Sequence, residues 1–283
     1  MKTLDVSEIT EVLAQMCVEA NTRLAPDMSA ALRSAAAAET NERGKWVLGQ
    51  LSKNLDIAGE TGIPICQDTG MAVVFLELGQ DLHLVGGGLS EAVCEGVRQG
   101  YLKGKLRCSV VSDPIERINT GDNTPPVIYT DIVPGESLKI TLAPKGFGSE
   151  NMSRVFMLKP AEGVSGVKAA VLQAVKDAGP NACPPLVVGV GIGGTFDKCA
   201  QLSKRALLRN ITERSPLEHI AKLENELLES INALDIGPGG LGGQCTAFAV
   251  NIETYPTHIA GLPVAVNICC HVNRHAVRVL EGK

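Results

Sequence analysis

Aromatic residues are scarce in this 283-residue chain, at one Trp, three Tyr and five Phe, or 3% in all. Proteins that hold single-stranded nucleic acid stack bases on aromatic side chains, and that platform is missing. Lys and Arg form no block, and the net charge is −5 with a pI near 5.6, which argues against an electrostatic nucleic-acid binder. No run of about 18 apolar residues occurs, as a membrane-crossing helix would require. The opening MKTLDVSEIT has no apolar signal region, so a cytoplasmic location is expected. Paired C-x-x-C spacing is absent too, and with it the usual zinc pattern. Nine cysteines, an odd number without framework spacing, argue against a disulfide scaffold. Most are expected to be small buried hydrophobes.

What is present is an ordinary soluble composition, 45% hydrophobic and 20% charged. With so few aromatics and 30 glycines, the interior must be packed by Val, Leu, Ile and Ala. The length suits one large domain, or two lobes sharing a core.

Apolar spacing predicts helices from Ser7 (as N-cap) to Ala20, from Met28 to Ala38, and through Trp46, Leu48, Leu51 and Leu55. Alternation predicts a strand over Met71–Leu78, and Ser90 opens a helix to Leu102. Val127–Val133 and Ser137–Leu142, separated by Pro134-Gly135, read as a hairpin. Helices follow at Ser165–Ala178, Phe196–Asn210 and Pro216–Leu234, with strands at Leu186–Ile192, Thr246–Glu253 and Val264–Ile268. A last helix is predicted from Val272 to Leu280. An N-terminal helical region precedes mixed or antiparallel sheets with interleaved helices, so the class is α+β rather than a regular βαβ series. No internal repeat is visible.

The most informative run is Gly62-Ile-Pro-Ile-Cys-Gln-Asp-Thr-Gly70. A structural thiol wants apolar neighbours; Cys66 has an amide and a carboxylate beside it, as a metal ligand among catalytic groups would. Arg107 leads into the polar segment Asn119-Thr-Gly-Asp-Asn-Thr-Pro-Pro126 and is a candidate carboxylate clamp, against the alternative of a solvated surface side chain. Lys145-Gly-Phe-Gly-Ser-Glu-Asn151 offers backbone amides for an anion but has no Walker pattern. Gly189-Val-Gly-Ile-Gly-Gly194 matches G-x-G-x-x-G, yet lacks the acidic residue about 20 positions on that a dinucleotide site needs, so a tight strand-to-helix turn is the better reading. His258, ahead of the apolar Leu262–Val266, reads as a hydrogen-bonded structural residue rather than a catalyst. Cys269-Cys270-His271 supplies vicinal cysteines, of which one is packed, and Cys183-Pro184 has the proline that follows some iron–sulfur ligands.

Taken in order, these motifs resemble the α-subunit, or N-terminal domain, of the class I iron–sulfur fumarate hydratase and L(+)-tartrate dehydratase family. The resemblance is carried by Pro64–Gly70, Asn119–Pro125, Lys145–Asn151, Cys183-Pro-Pro185 with Gly189–Thr195, Thr257-His258 with Leu262-Pro-Val264, and Cys270-His271. Phe147 departs from it, standing where glycine is common.

The resemblance implies a [4Fe–4S] cluster on Cys66, Cys183 and Cys270, held between lobes, with Cys199 and Cys245 as competing ligands. It implies that Asp68 is the proton donor and also a substrate ligand, with Gln67, Arg107, Gly148 and His258 binding the substrate. The implied reaction is reversible hydration of fumarate to malate, with tartrate dehydration and methylfumarate hydration as alternatives. A non-catalytic iron–sulfur or zinc module and a nucleotide-dependent oxidoreductase are readings of other classes. Single-chain members continue into a further domain, so a β-subunit is expected as partner, in an α2β2 assembly.

Overall fold

The computed structural model describes residues 2–283. Its elements in chain order are β1 (Lys2–Asp5), α1 (Val6–Thr22), α2 (Pro26–Ala38), α3 (Glu42–Thr61), β2 (Met71–Gly79), β3 (Leu82–Val85) and α4 (Leu89–Lys103). Then come β4 (Val127–Val133), β5 (Ser137–Lys145), the single turn α5 (Phe147–Glu150), β6 (Arg154–Leu158), α6 (Gly163–Ala178) and β7 (Leu186–Gly193). The last are α7 (Phe196–Ala206), α8 (Glu218–Asn232), β8 (Ala247–Tyr255), β9 (Leu262–Cys269) and β10 (Ala276–Glu281). The class is α+β, and the chain divides into two compact units that interleave in sequence: residues 2–24, 57–147 and 274–283, and residues 25–56 and 148–273.

In the first unit, Ala72 to Leu76 are all buried, so β2 needs neighbours along both edges and cover on both faces. It lies inside the sheet β10-β5-β2-β4, antiparallel to β5 and parallel to β4. The expected hairpin is therefore wrong: β2 separates its two strands, and the Pro134-Gly135 turn crosses over the end of β2. A Cβ on Gly79 would lie 2.4 Å from the carbonyl oxygen of Gly135, which is why that strand ends in glycine. The expected final helix is also wrong. Residues Ala276–Glu281 pair antiparallel with β5, where Val277 and Val279 suit an extended edge strand better than a short helix. Ile9, Leu13 and Met16 of α1 and Val93, Val97 and Tyr101 of α4 share one apolar cluster with the sheet. Asp5, not Ser7, caps α1, its carboxylate accepting from the Ser7 amide at 2.9 Å.

The second unit repeats the pattern of pairings. Its sheet runs β6-β9-β7-β8, again antiparallel, antiparallel, then parallel. In each sheet the central strand (β2 or β7) is followed through helix to its parallel neighbour, and the next strand returns antiparallel on its other side. The one-turn α5 stands in what the sequence presents as a glycine loop, while Trp46, expected on the apolar face of α3, is 65% exposed.

The glycine run of β7 is a packing device. A Cβ on Gly189 would lie 2.2 Å from the Ser203 carbonyl oxygen of α7, and one on Gly191 2.0 Å from that of Cys199. Only hydrogen at these positions lets the helix lie this close to the strand. Gly191→Ala is expected to cost about 3 kcal/mol, because backbone must move to admit the methyl group. A denaturant midpoint equal to wild type would show that the helix yields freely.

Candidate active site

In the first unit the candidate residues gather where β2 begins and β5 ends, since Met71 pairs with Lys145. The turn from Ile65 to Gly70 is held from several sides. The Ile65 amide donates to the Asn21 carbonyl at 2.9 Å, the Thr69 hydroxyl to the Arg107 carbonyl at 3.1 Å, and the buried Tyr101 hydroxyl to the Thr69 carbonyl at 2.8 Å. Cys66 is half-buried, and its thiol donates to Gln67 Oε1 at 3.5 Å. Asp68 accepts through both carboxylate oxygens, from the Gly70 amide at 3.0 Å and the Phe147 amide at 2.9 Å. Its own carbonyl accepts from Nη2 of Arg274. Arg107 is exposed, with its main chain tied to Thr69 and its guanidinium at the surface of this unit.

Within Asn119–Pro126, Asn123 and Asp122 brace the neighbouring segments. Asn123, fully buried at φ +62°, accepts from the Ser109 and Val110 amides and donates to the Gly70 carbonyl at 3.0 Å. Partial burial opposes ionisation of Asp122, but hydrogen bonds from Arg98 and Thr124 prevail and hold its carboxyl down at about 2.

In the second unit the corresponding end of the sheet carries Cys183, just before β7, and Cys270, just after β9; Val187 pairs with Cys269 there. The amide and Nδ1 of His271 both approach the Cys183 carbonyl, at 3.4 and 3.1 Å. Cys183 is exposed and sits at φ +53°, a left-handed conformation uncommon outside glycine that it shares with Lys105, Arg117, Asn123 and Asp235. The Cys270 thiol is pushed well up by its hydrogen bond with the Cys269 side chain and by burial. Gly148 is exposed; a Cβ there would meet only the Asn181 carbonyl, at 3.9 Å, so this unit's own packing does not demand glycine. His258 lies elsewhere. It is exposed in the turn after β8, beyond the Gly193–Tyr255 pair that closes the far end of β7. The eight residues of β7 separate it from Cys183 by about 25 Å at the usual strand rise.

The fumarate hydratase (Fumerase) family model matches residues 10–279. The chain belongs to that family. A Methanocaldococcus jannaschii chain provisionally named L(+)-tartrate dehydratase subunit alpha is 42% identical over 97% of this chain and 98% of its own length. L(+)-tartrate dehydratase subunit alpha of Escherichia coli K12 is 34% identical over 98% of this chain and 92% of its own, and the Shigella sonnei protein of that name gives the same figures.

Six of the nine cysteines of this family member bear on the choice of ligands. Cys17 and Cys199 are fully buried on helices; burial pushes the Cys17 thiol up to about 12 and raises that of Cys199, which donates to the Phe196 carbonyl. Burial, then the Glu39 charge, pushes Cys245 to about 12. Cys66, Cys183 and Cys270 stand on turns at strand ends, as does Cys245 just before β8. Among the described residues no three His, Cys, Asp or Glu side chains are close enough together to hold a metal ion, and none of the helices is long and apolar enough to cross a membrane. The glycine run of β7 offers little to a dinucleotide, because Asp197, hydrogen-bonded to Thr195 at 2.6 Å, already puts a negative charge at the start of α7. Sequence reading does not reach the roles of Arg274 and Asn123: each stands in or beside a run of polar residues, but neither its burial nor its partners can be read from the run.

Proposed function

We propose that the chain is the α-subunit of a [4Fe–4S]-dependent hydro-lyase that converts fumarate reversibly to malate. The observation that carries this reading is the Cys66-Gln67-Asp68 turn, a thiol, an amide and a carboxylate on consecutive residues, with Asp68 held through both oxygens and its carbonyl. Cys66, Cys183 and Cys270 would hold the cluster, and three thiolates leave one iron without a protein ligand, so that when bound it supplies Lewis-acid assistance to the departing hydroxyl. Asp68 delivers a proton to that hydroxyl oxygen as its bond to carbon breaks, and takes it back in the hydration direction. Gln67 donates its amide to one substrate carboxylate, Arg107 clamps a carboxylate with its fork, and Gly148 offers main-chain contact. His258, remote from Cys183 along β7, binds a carboxylate across a subunit boundary. A β-subunit supplies the base at carbon in a cytoplasmic α2β2 assembly.

A second reading, dehydration of L(+)-tartrate, is favoured by the names of the relatives; an additional hydroxyl on the same four-carbon skeleton would be sensed largely by the β-subunit. The test is anaerobic co-purification with the β-subunit, followed by assays with malate, fumarate and both tartrates in parallel. Cluster-level iron and sulfide with malate–fumarate turnover is the expected result. Turnover of tartrate alone moves the assignment to the second reading, and iron-free protein removes both. In Cys183→Ala the brown cluster absorbance is expected to vanish; a fully retained cluster would transfer the ligand role to Cys199.

A further inference from the structure

Arg274 lies four residues beyond Cys270, leads into β10, and is 4% exposed. A buried guanidinium ordinarily faces a carboxylate, since a full charge taken out of water needs an opposite charge nearby. Arg274 has no such ion pair among the described residues. Its Nη2 donates to the carbonyl of Asp68, its Nε approaches the carbonyl of Pro144 at 3.4 Å, and Nη1 has no hydrogen-bond partner. The two carbonyls belong to the two segments that define the acid. One is the main chain of Asp68 itself; the other lies three residues before Phe147, whose amide holds Asp68 Oδ2. One planar fork therefore ties the turn carrying the carboxylate to the strand end that orients it.

We propose that Arg274 is a positioning residue for Asp68, fixing the main chain of the acid while the Gly70 and Phe147 amides fix its carboxylate. The inference rests on the reading of Asp68 as the proton donor. Lysine keeps the charge and most of the length, but a single ammonium cannot reproduce the planar fork across two carbonyls. An arginine that merely fills space would affect stability and leave the chemistry per folded molecule unchanged.

The test uses Arg274→Lys and Arg274→Gln in the cluster-loaded chain assembled with its β-subunit. For Arg274→Lys, kcat per cluster-loaded protein is expected to fall roughly 10- to 100-fold, the effect of a small misplacement of a reacting group. KM should stay within about twofold, because carboxylate binding is left intact. Amide deuterium exchange over residues 67–70 should accelerate while exchange in β7 stays at the wild-type rate. Wild-type kcat in Arg274→Lys overturns the proposal, as does unchanged exchange over residues 67–70. Should Arg274→Gln fail to fold, Arg274→Lys carries the test alone. If the wild-type assembly turns over no dicarboxylate, the hydro-lyase reading falls separately. Exchange then decides whether Arg274 holds the turn: acceleration confined to residues 67–70 upholds that hold, and its absence ends it.

Discussion

Asp68→Asn is expected to lower kcat by about 10²- to 10⁴-fold, the range lost when a positioned acid is removed, while leaving the cluster in place. The amide is nearly isosteric, so Cys66 and the turn that carries it keep their surroundings. What changes is the proton. An amide has none to give to a departing hydroxyl, and in the reverse direction it takes none from water. The substitution also alters the local hydrogen bonding in a way the geometry makes explicit. Both carboxylate oxygens accept from main-chain amides, Gly70 at 3.0 Å and Phe147 at 2.9 Å. Asparagine can satisfy only one of them and turns an NH2 group towards the other, at a local cost of about 1–3 kcal/mol. A modest fall in melting temperature should therefore accompany the loss of turnover. Asp68→Glu separates the two effects, because it retains the acid while its longer side chain disturbs both amide contacts. Rates per cluster-loaded protein in both directions decide the matter, and near-normal turnover in Asp68→Asn removes Asp68 from the mechanism.

Local chemistry was legible where the relevant residues are contiguous. Cys66, Gln67 and Asp68 announce themselves because three functional groups follow one another between a proline and a glycine. The helices α1, α4, α6 and α8 were legible because their apolar positions recur at helical spacing. Topology was not. Alternation identifies β4 and β5 as strands but says nothing of β2 passing between them, which depends on β2 being the strand that must be buried on both faces. The mistaken last helix has a related cause. Val277, Val279 and Leu280 fit either period over so short a run, and only pairing with β5 decides between them. The two sheets share the chain order of three of their four strands and differ in the fourth, an edge strand, since β10 follows β5 whereas β6 precedes β9, yet the shared order leaves no visible sequence repeat. Arg274 reaches Asp68 across 206 residues, a separation no local motif can reveal.

Glu224→Ala is expected to destabilise the second unit by about 3–5 kcal/mol, the usual cost of stranding one member of a buried ion pair. Glu224 interrupts the apolar stripe of α8 formed by Ile220, Leu223, Leu227 and Ile231, and is 1% exposed. Its Oε1 pairs with Arg209 and accepts from the Ile252 amide of β8 at 2.8 Å; its Oε2 accepts from the Ser215 amide at 3.0 Å. One carboxylate thus ties α8 to β8 and to the segment that precedes the helix. Truncation to alanine would leave two amides without their acceptor and take from Arg209 the more buried of its two carboxylate partners. Arg209→Met removes the other half of the pair and should cost less, because Glu224 keeps both amide donors. Arg209 itself also reaches Glu253 at 3.2 Å, so in Glu224→Ala its charge retains one partner. The expected order is therefore Glu224→Ala well below Arg209→Met, and Arg209→Met below wild type, in unfolding free energy from chemical denaturation. Equal losses in the two variants would assign the stabilisation to the ion pair and not to the amides that the carboxylate caps.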